Sequence, residues 1–248
     1  MRYYVYRKAS LFFICLLSFN LVYPQDFSSA EKYRTIKLAP ASLLFGSLSL
    51  LGEYNLKNSH SFTIKAGFPV AAQHTFTYDN RSTKFRMEGT AFQVGFRTYL
   101  GQKHLAGFYL EPYFKYLKHE SIGTGEGDLM GQAVIYDFTN LYEGNAFGLQ
   151  LGIQWLLGER WVIDLFLFGP EINASVNSFS ALETTNKGAW TPVQAFDAER
   201  DMRDFLNKFP FLKNRFEVMA DPEKRRVDAN FTGTLPGLRT GVSIGFAF

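Results

Sequence analysis

His119 and Ser121 stand two residues apart, and in an extended segment residues so spaced project to one side. There an imidazole could take the proton of a serine hydroxyl during acyl transfer, provided a carboxylate held the ring. Glu126, Asp128 and Glu143 follow, but only loop geometry that the spacing does not fix would bring one of them to His119. The other histidines, His60, His74 and His104, have no metal-ligand spacing, and the only cysteine is Cys15. A larger set of titratable residues sits in phase with apolar neighbours: Lys37, Lys65, Arg97, Lys115 and Arg239, with Glu53, Glu111 and Asp164. On the alternating pattern these share one interior. A lone buried charge is costly, so they must meet one another, tyrosines such as Tyr109 and Tyr113, or water. The role expected of them is an ion-pair network that fixes strand register. No catalytic residue, metal site or cofactor is expected.

The elements that would position these groups are strands. Along Leu235–Phe248, Leu238, Thr240, Val242, Ile244, Phe246 and Phe248 alternate with Gly237, Arg239, Gly241, Ser243, Gly245 and Ala247, a period of two with an unusually glycine-rich inner side. The same alternation runs through Phe147–Trp155, Trp161–Leu167, Phe92–Tyr99, Phe108–Tyr116 and Phe62–Phe68, and less strongly through Leu48–Leu56 and Thr35–Phe45. Pro112 cannot donate to a ladder and is expected to mark a bulge. Links after Leu56, Leu100 and Leu157 are short, while those after Val70, Lys118 and Gly169 are long. The alternation is broken only by the short link at Gly46. It matches a closed membrane barrel with periplasmic turns, external loops and both ends inside, and eight strands satisfy that parity. The fold class expected is all-β: an eight-stranded antiparallel transmembrane β-barrel with a long, partly helical last extracellular loop.

Composition and the start of the chain agree with that reading. Aromatic residues make up 17% of the 248 and mean hydropathy is only -0.10, as strands with one greasy and one polar face require. Beyond the first thirty residues no apolar run reaches the roughly 18 residues of a spanning helix. A net charge of +3 with dispersed basic residues gives no reason to expect nucleic acid as a partner. Arg2, Arg7 and Lys8 ahead of the apolar Ala9–Tyr23 are expected to form an export signal over residues 1–25, cleaved after Gln25 or after Ala30, with an uncleaved anchor helix as the alternative. Cys15 lacks the small residues of a lipoprotein box. Residues 31–248 would then be the barrel, exported and integral to the outer membrane, carrying an insertion at about 171–234.

Within that insertion Phe196, Met202, Phe205, Leu206, Phe209, Leu212, Phe216 and Met219 recur at helical spacing among charged residues, which predicts an amphipathic helix broken near Pro210. Phe196, Phe205, Phe209, Leu212 and Phe216 are its candidate lid or recognition residues. The helix could fold back over the barrel mouth, lie in the outer leaflet, or bind a partner.

The segments Ile36-Lys37-Leu38-Ala39-Pro40 to Leu44-Phe45-Gly46, Leu51-Gly52-Glu53-Tyr54, Glu111-Pro112-Tyr113-Phe114-Lys115 and Gly245-Phe246-Ala247-Phe248 resemble the small outer-membrane β-barrels of Bacteroidota-type bacteria, of OmpA-like or OmpX-like architecture. The resemblance implies a structural or surface-binding protein in contact with outer-membrane lipid and lipopolysaccharide. It also implies a C-terminal strand, ending in Phe248, that meets the barrel assembly machinery. His119-Glu120-Ser121 resembles the His-x-Ser of outer-membrane lipid A deacylases, which implies an acyl hydrolase as an alternative, but no Asn-Ala follows Ser121. A narrow pore is the remaining alternative.

Overall fold

A computed structural model describes residues 33–56, 59–78, 81–101, 104–158 and 160–248; the expected export signal lies outside them. Among the described residues there are ten strands: β1 (Arg34–Ala39), β2 (Ser47–Asn55), β3 (His60–Pro69), β4 (Ala72–Tyr78), β5 (Arg81–Tyr99), β6 (Gly107–Leu129), β7 (Gln132–Leu157), β8 (Trp161–Glu183), β9 (Glu217–Asp221) and β10 (Arg226–Ala247). A 3-10 helix, Pro40–Phe45, follows β1, and one α-helix, α1 (Pro192–Asn207), lies between β8 and β9. Eight strands pair antiparallel in the order β1-β2-β3-β5-β6-β7-β8-β10, and β10 returns to β1 through Thr35 opposite Ala247 and Leu38 opposite Ile244. The sheet is closed, so the eight-stranded barrel is the fold.

The burial pattern is the reverse of a soluble sandwich. Outward residues Ile36, Phe62, Ile64, Phe96, Phe108, Phe147, Trp161, Ile172, Leu238 and Phe246 are exposed, while the inward face buries Lys37, Glu53, Arg97, Glu111 and Asp164. The apolar belt ends upward at Thr90, Lys118, Asn145, Ser178 and Thr234, the first exposed polar residues on their strands above it. Along β10 it runs from Phe246 to Pro236, ten residue steps, about 33 Å along the strand and about 23 Å of height at a tilt near 45°.

Three expectations need correction. The strand expected over Thr35–Phe45 stops at Ala39, where Pro40 starts the 3-10 helix and Gly46, at φ 70°, ends it. Pro112 makes no bulge. It pairs in register with Leu149, and on the other side Gly95–Tyr113 and Thr98–Leu110 share one register, so the ladder skips a step without an added residue. The bulge lies instead in β8. Phe166 faces Gly241 but Gly169 faces Arg239, leaving Leu167 and Phe168 opposite Thr240 alone, and the Thr240 hydroxyl donates to the Phe166 carbonyl at 3.0 Å. Finally, the long links after Val70, Lys118 and Gly169 are largely strand: β5 to β8 and β10 rise past the belt as an upper wall, and residues 171–183 and 226–234 belong to it. β1, β2 and β3 end at the rim, where the Gly46 carbonyl accepts from Val70 and Gly89 and so fills the break between β3 and β4.

Glycines in the strands make room for rings. A Cβ on Gly148 would lie 2.4 Å from Tyr113, and on Gly152 2.3 Å from Tyr109; Gly241 sits under Phe166 and Gly127 under Tyr136 in the same way. Inward aromatics thus lie flat across neighbouring strands, which is how a narrow barrel holds so many of them.

Candidate functional site

The lumen is filled in two layers. In the lower one Lys37 Nζ donates to Glu53 Oε2 at 2.9 Å, Gln154 Oε1 at 2.6 Å and Asp164 Oδ2 at 2.7 Å, using all three of its protons. Arg97 Nε donates to Glu111 Oε2 at 2.8 Å, and Nη1 reaches Gln154 Oε1 at 2.8 Å and Asp164 Oδ2 at 3.0 Å. Tyr99 and Tyr109 donate to Glu53 and Asp164 at 2.6 and 2.7 Å, and Thr63 to Glu111 at 2.8 Å. The Arg97 guanidinium lies 3.6 Å from the centre of the Tyr109 ring. Below, Gln154 Nε2 donates to the carbonyl of buried Leu105 at 2.8 Å, so the β5–β6 turn closes the floor. Two cations and three carboxylates are locked together with no side chain free to swing, and the bonds cross-link β1, β2, β3, β5, β6, β7 and β8.

The upper layer is looser and more basic. Lys115 Nζ grips both oxygens of Glu171 at 2.7 and 2.9 Å, and Tyr113 donates to the same carboxylate at 2.8 Å. Arg239 donates to Gln93 and lies 4.7 Å from the centre of the Phe166 ring. Lys65 shares this level without an ion pair to any described residue. The charged residues singled out by alternation therefore divide: Lys37, Glu53, Arg97, Glu111 and Asp164 meet, whereas Lys65, Lys115 and Arg239 stand above them. Glu171 is absent from that pattern because the β8 bulge shifts inward residues from even to odd numbers. Gln93, Gln150 and Gln154 share the inward face but carry no charge to draw attention.

His119 and Ser121 both point inward at the outer rim. The His119 ring lies over Gly89, with Nδ1 buried and unpartnered. The carboxylates proposed to orient it are occupied elsewhere: Glu126 accepts from Ser82 N, Asp128 from Gly131 N, and Glu143 from the Tyr116 hydroxyl. Among the described residues no group of His, Cys, Asp or Glu could hold a metal ion.

The upper wall carries its own hydrophobic core. Leu129, Val134, Val218, Val227 and Ala229 from the strands meet Trp190, Ala195 and Ala198, with Tyr136, Phe179, Met202, Leu206 and Phe216 around them. α1 starts with a capping box, Thr191 Oγ1 accepting from Gln194 N at 3.3 Å and Gln194 Oε1 from Thr191 N at 2.9 Å. Its anchor is Glu183, which accepts from Trp190 Nε1 at 3.2 Å and pairs with Arg225. The helix presents Ala195, Ala198, Met202 and Leu206 to the sheet. Of the residues expected to form its stripe, Phe196, Phe205 and Phe209 are exposed, Leu212 is half-buried, and Phe216 stacks on Phe231 at 5.4 Å beyond the helix end. The turn falls at Asn207, before Pro210.

No protein-family model matches the chain, and no curated protein matches it. Among solved structures it is similar to one titled "Crystal Structure of Acinetobacter baumannii CarO", at 10% identity over 90% of this chain and 100% of that one, with a TM-score of 0.45.

The cap was the part least readable in advance. Small residues, Ala195 and Ala198, make the closest contacts of α1, and the large aromatics that dominate the helical period lie on its flanks. Glu183 and Arg225 are 42 positions apart and meet only because β8 and β10 are neighbours.

Proposed function

We propose that the chain is a non-catalytic integral protein of a bacterial outer membrane, whose barrel anchors a helix-capped external wall with a structural or surface-binding role. One observation carries this: a closed ring of strands that is apolar outside and charged inside, with an outer belt about as tall as a bilayer core. Only lipid satisfies such an outer surface. On this reading the wall lies outside the cell, lipopolysaccharide surrounds the belt, and the strand ending in Phe248 is what the assembly machinery recognises. The motifs quoted above support membership of a Bacteroidota-type, OmpA-like or OmpX-like group.

The test is fractionation with surface labelling. The protein should co-fractionate with outer membranes and run at a shifted, heat-modifiable position on gels, and an impermeant amine reagent should modify Lys187, exposed at the top of the wall, in intact cells. A band found only in the soluble fraction, or a Lys187 protected until lysis, would sink the placement. A hydrolase reading is disfavoured because the carboxylates that could orient His119 are bonded elsewhere. His119→Ala is accordingly expected to leave the acyl pattern of lipid A unchanged, and an altered pattern would restore the enzyme. A pore is disfavoured by the lower lumen layer, so planar bilayers should show no discrete conductance.

A further inference from the structure

α1 runs downward toward the belt. Near its start Asp197 accepts from Met130 N, at the tip of the β6–β7 hairpin; further on Arg203 donates to the Val218 carbonyl; past its end Arg215 Nη1 donates to the Thr234 carbonyl at 2.7 Å. Thr234 is the first exposed polar residue above the belt on β10. Residues 208–215 are therefore the lowest part of the cap, at the level where the belt gives way to polar surface. There Phe205, Phe209 and Phe211 form an exposed cluster, with ring centres 5.5 and 6.3 Å apart. Charge is segregated along the same path. The helix carries Asp197, Glu199, Asp201 and Asp204 against Arg200 and Arg203, whereas from Phe205 to Phe216 there is no acidic residue and Lys208, Lys213 and Arg215 supply three positive charges.

We propose that this tip is a membrane-surface contact: Phe205, Phe209 and Phe211 enter the boundary of the outer leaflet while Lys208 and Lys213 pair with phosphate-bearing headgroups. The inference rests on the membrane reading above. Exposed aromatics flanked by lysines match an anionic lipid interface on both counts, apolar rings for the acyl boundary and ammonium groups for phosphate. The contact would hold the lower end of α1, leaving the acidic upper part of the helix in water.

Lipid quenching of full-length protein refolded into vesicles tests it, with F211W as reporter. In vesicles containing shallowly brominated phosphatidylcholine the added indole emission should be blue-shifted and quenched. The quenching should strengthen when phosphatidylglycerol is included, and in a Lys208→Ser/Lys213→Ser background that gain should fall, by about fivefold for each lysine removed. Trp155 and Trp161 at the lower edge of the barrel report insertion independently. If they are quenched and the F211W indole is not, whether red-shifted in water or blue-shifted against protein, the tip contact is wrong and the membrane reading stands. If none is quenched, the membrane reading fails and the contact with it.

Discussion

Arg97 serves three carboxylates and a glutamine from the centre of the lumen, and no other side chain could reach them all. Arg97→Ala would leave Glu111 buried without a cation and Glu53 and Asp164 with Lys37 alone, and a loss of about 3–5 kcal/mol is expected, read as a lower urea midpoint for the refolded barrel. Arg97→Lys should recover little of it, because a lysine presents a point charge where a fork of donors is needed. Tyr136, in the wall above the belt, offers a pH handle. Burial, and then the nearby Asp201 carboxylate, push its phenol up to about 12 from 10.0. A raised value means that the neutral phenol is favoured by the folded cap, so its contribution is complete below about pH 10 and is lost as pH rises toward 12. Limited proteolysis between residues 184 and 216 should accelerate across that window, and Tyr136→Phe should remove the step.

Elements differ in how much latitude they leave. A methyl on Gly152 would meet the Leu165 carbonyl at 2.8 Å as well as Tyr109, while one on Gly148 meets only the Tyr113 ring. Gly152→Ala should therefore cost more than Gly148→Ala, about 1–3 kcal/mol against less, in thermal melts followed by gel mobility. Removing the helix cap with Thr191→Ala should loosen α1 by about 1 kcal/mol, seen as faster amide exchange there and unchanged exchange in the barrel. The same contrast explains what could be read in advance. Strand count and facing follow from a period of two, so Ile244 and Phe246, or Glu111 and Lys115, declare their sides without any structure. Pro112 misled because a missing donor can be absorbed by skipping one ladder step. Glu171 was hidden because alternation carries no signal for an inserted residue when both outward neighbours, Leu167 and Phe168, are equally apolar.

For the whole molecule, the barrel and the cap are two cores stacked along one set of strands, the lower held by charge and the upper by apolar contacts. They should be separable. Replacing residues 185–223 with a short turn is expected to leave a heat-modifiable barrel, since the lumen network uses none of them; loss of the gel shift would show that the cap is needed for closure. The lengths of the strands set the asymmetry. β1, β2 and β3 stop at the rim, and above them the wall is edged by β4 beside β5 and by β9 beside β10.

The extra residue in β8 has a meaning for how such a chain can change. Below Leu167 the strand is read in one phase and above Phe168 in the other, so the two halves are joined by the molecular counterpart of a frame shift. Deleting Leu167 would leave a regular strand with Phe168 alone opposite Thr240, Glu171 and Asn173 still inward and Ile172 still outward, whereas the same extra residue without a bulge would turn Glu171 and Asn173 toward lipid and Ile172 inward. Inserting or deleting two residues would do nothing of the kind. The wall can therefore lengthen or shorten in pairs, while any odd change must be absorbed by a bulge or matched by a second one on the same strand.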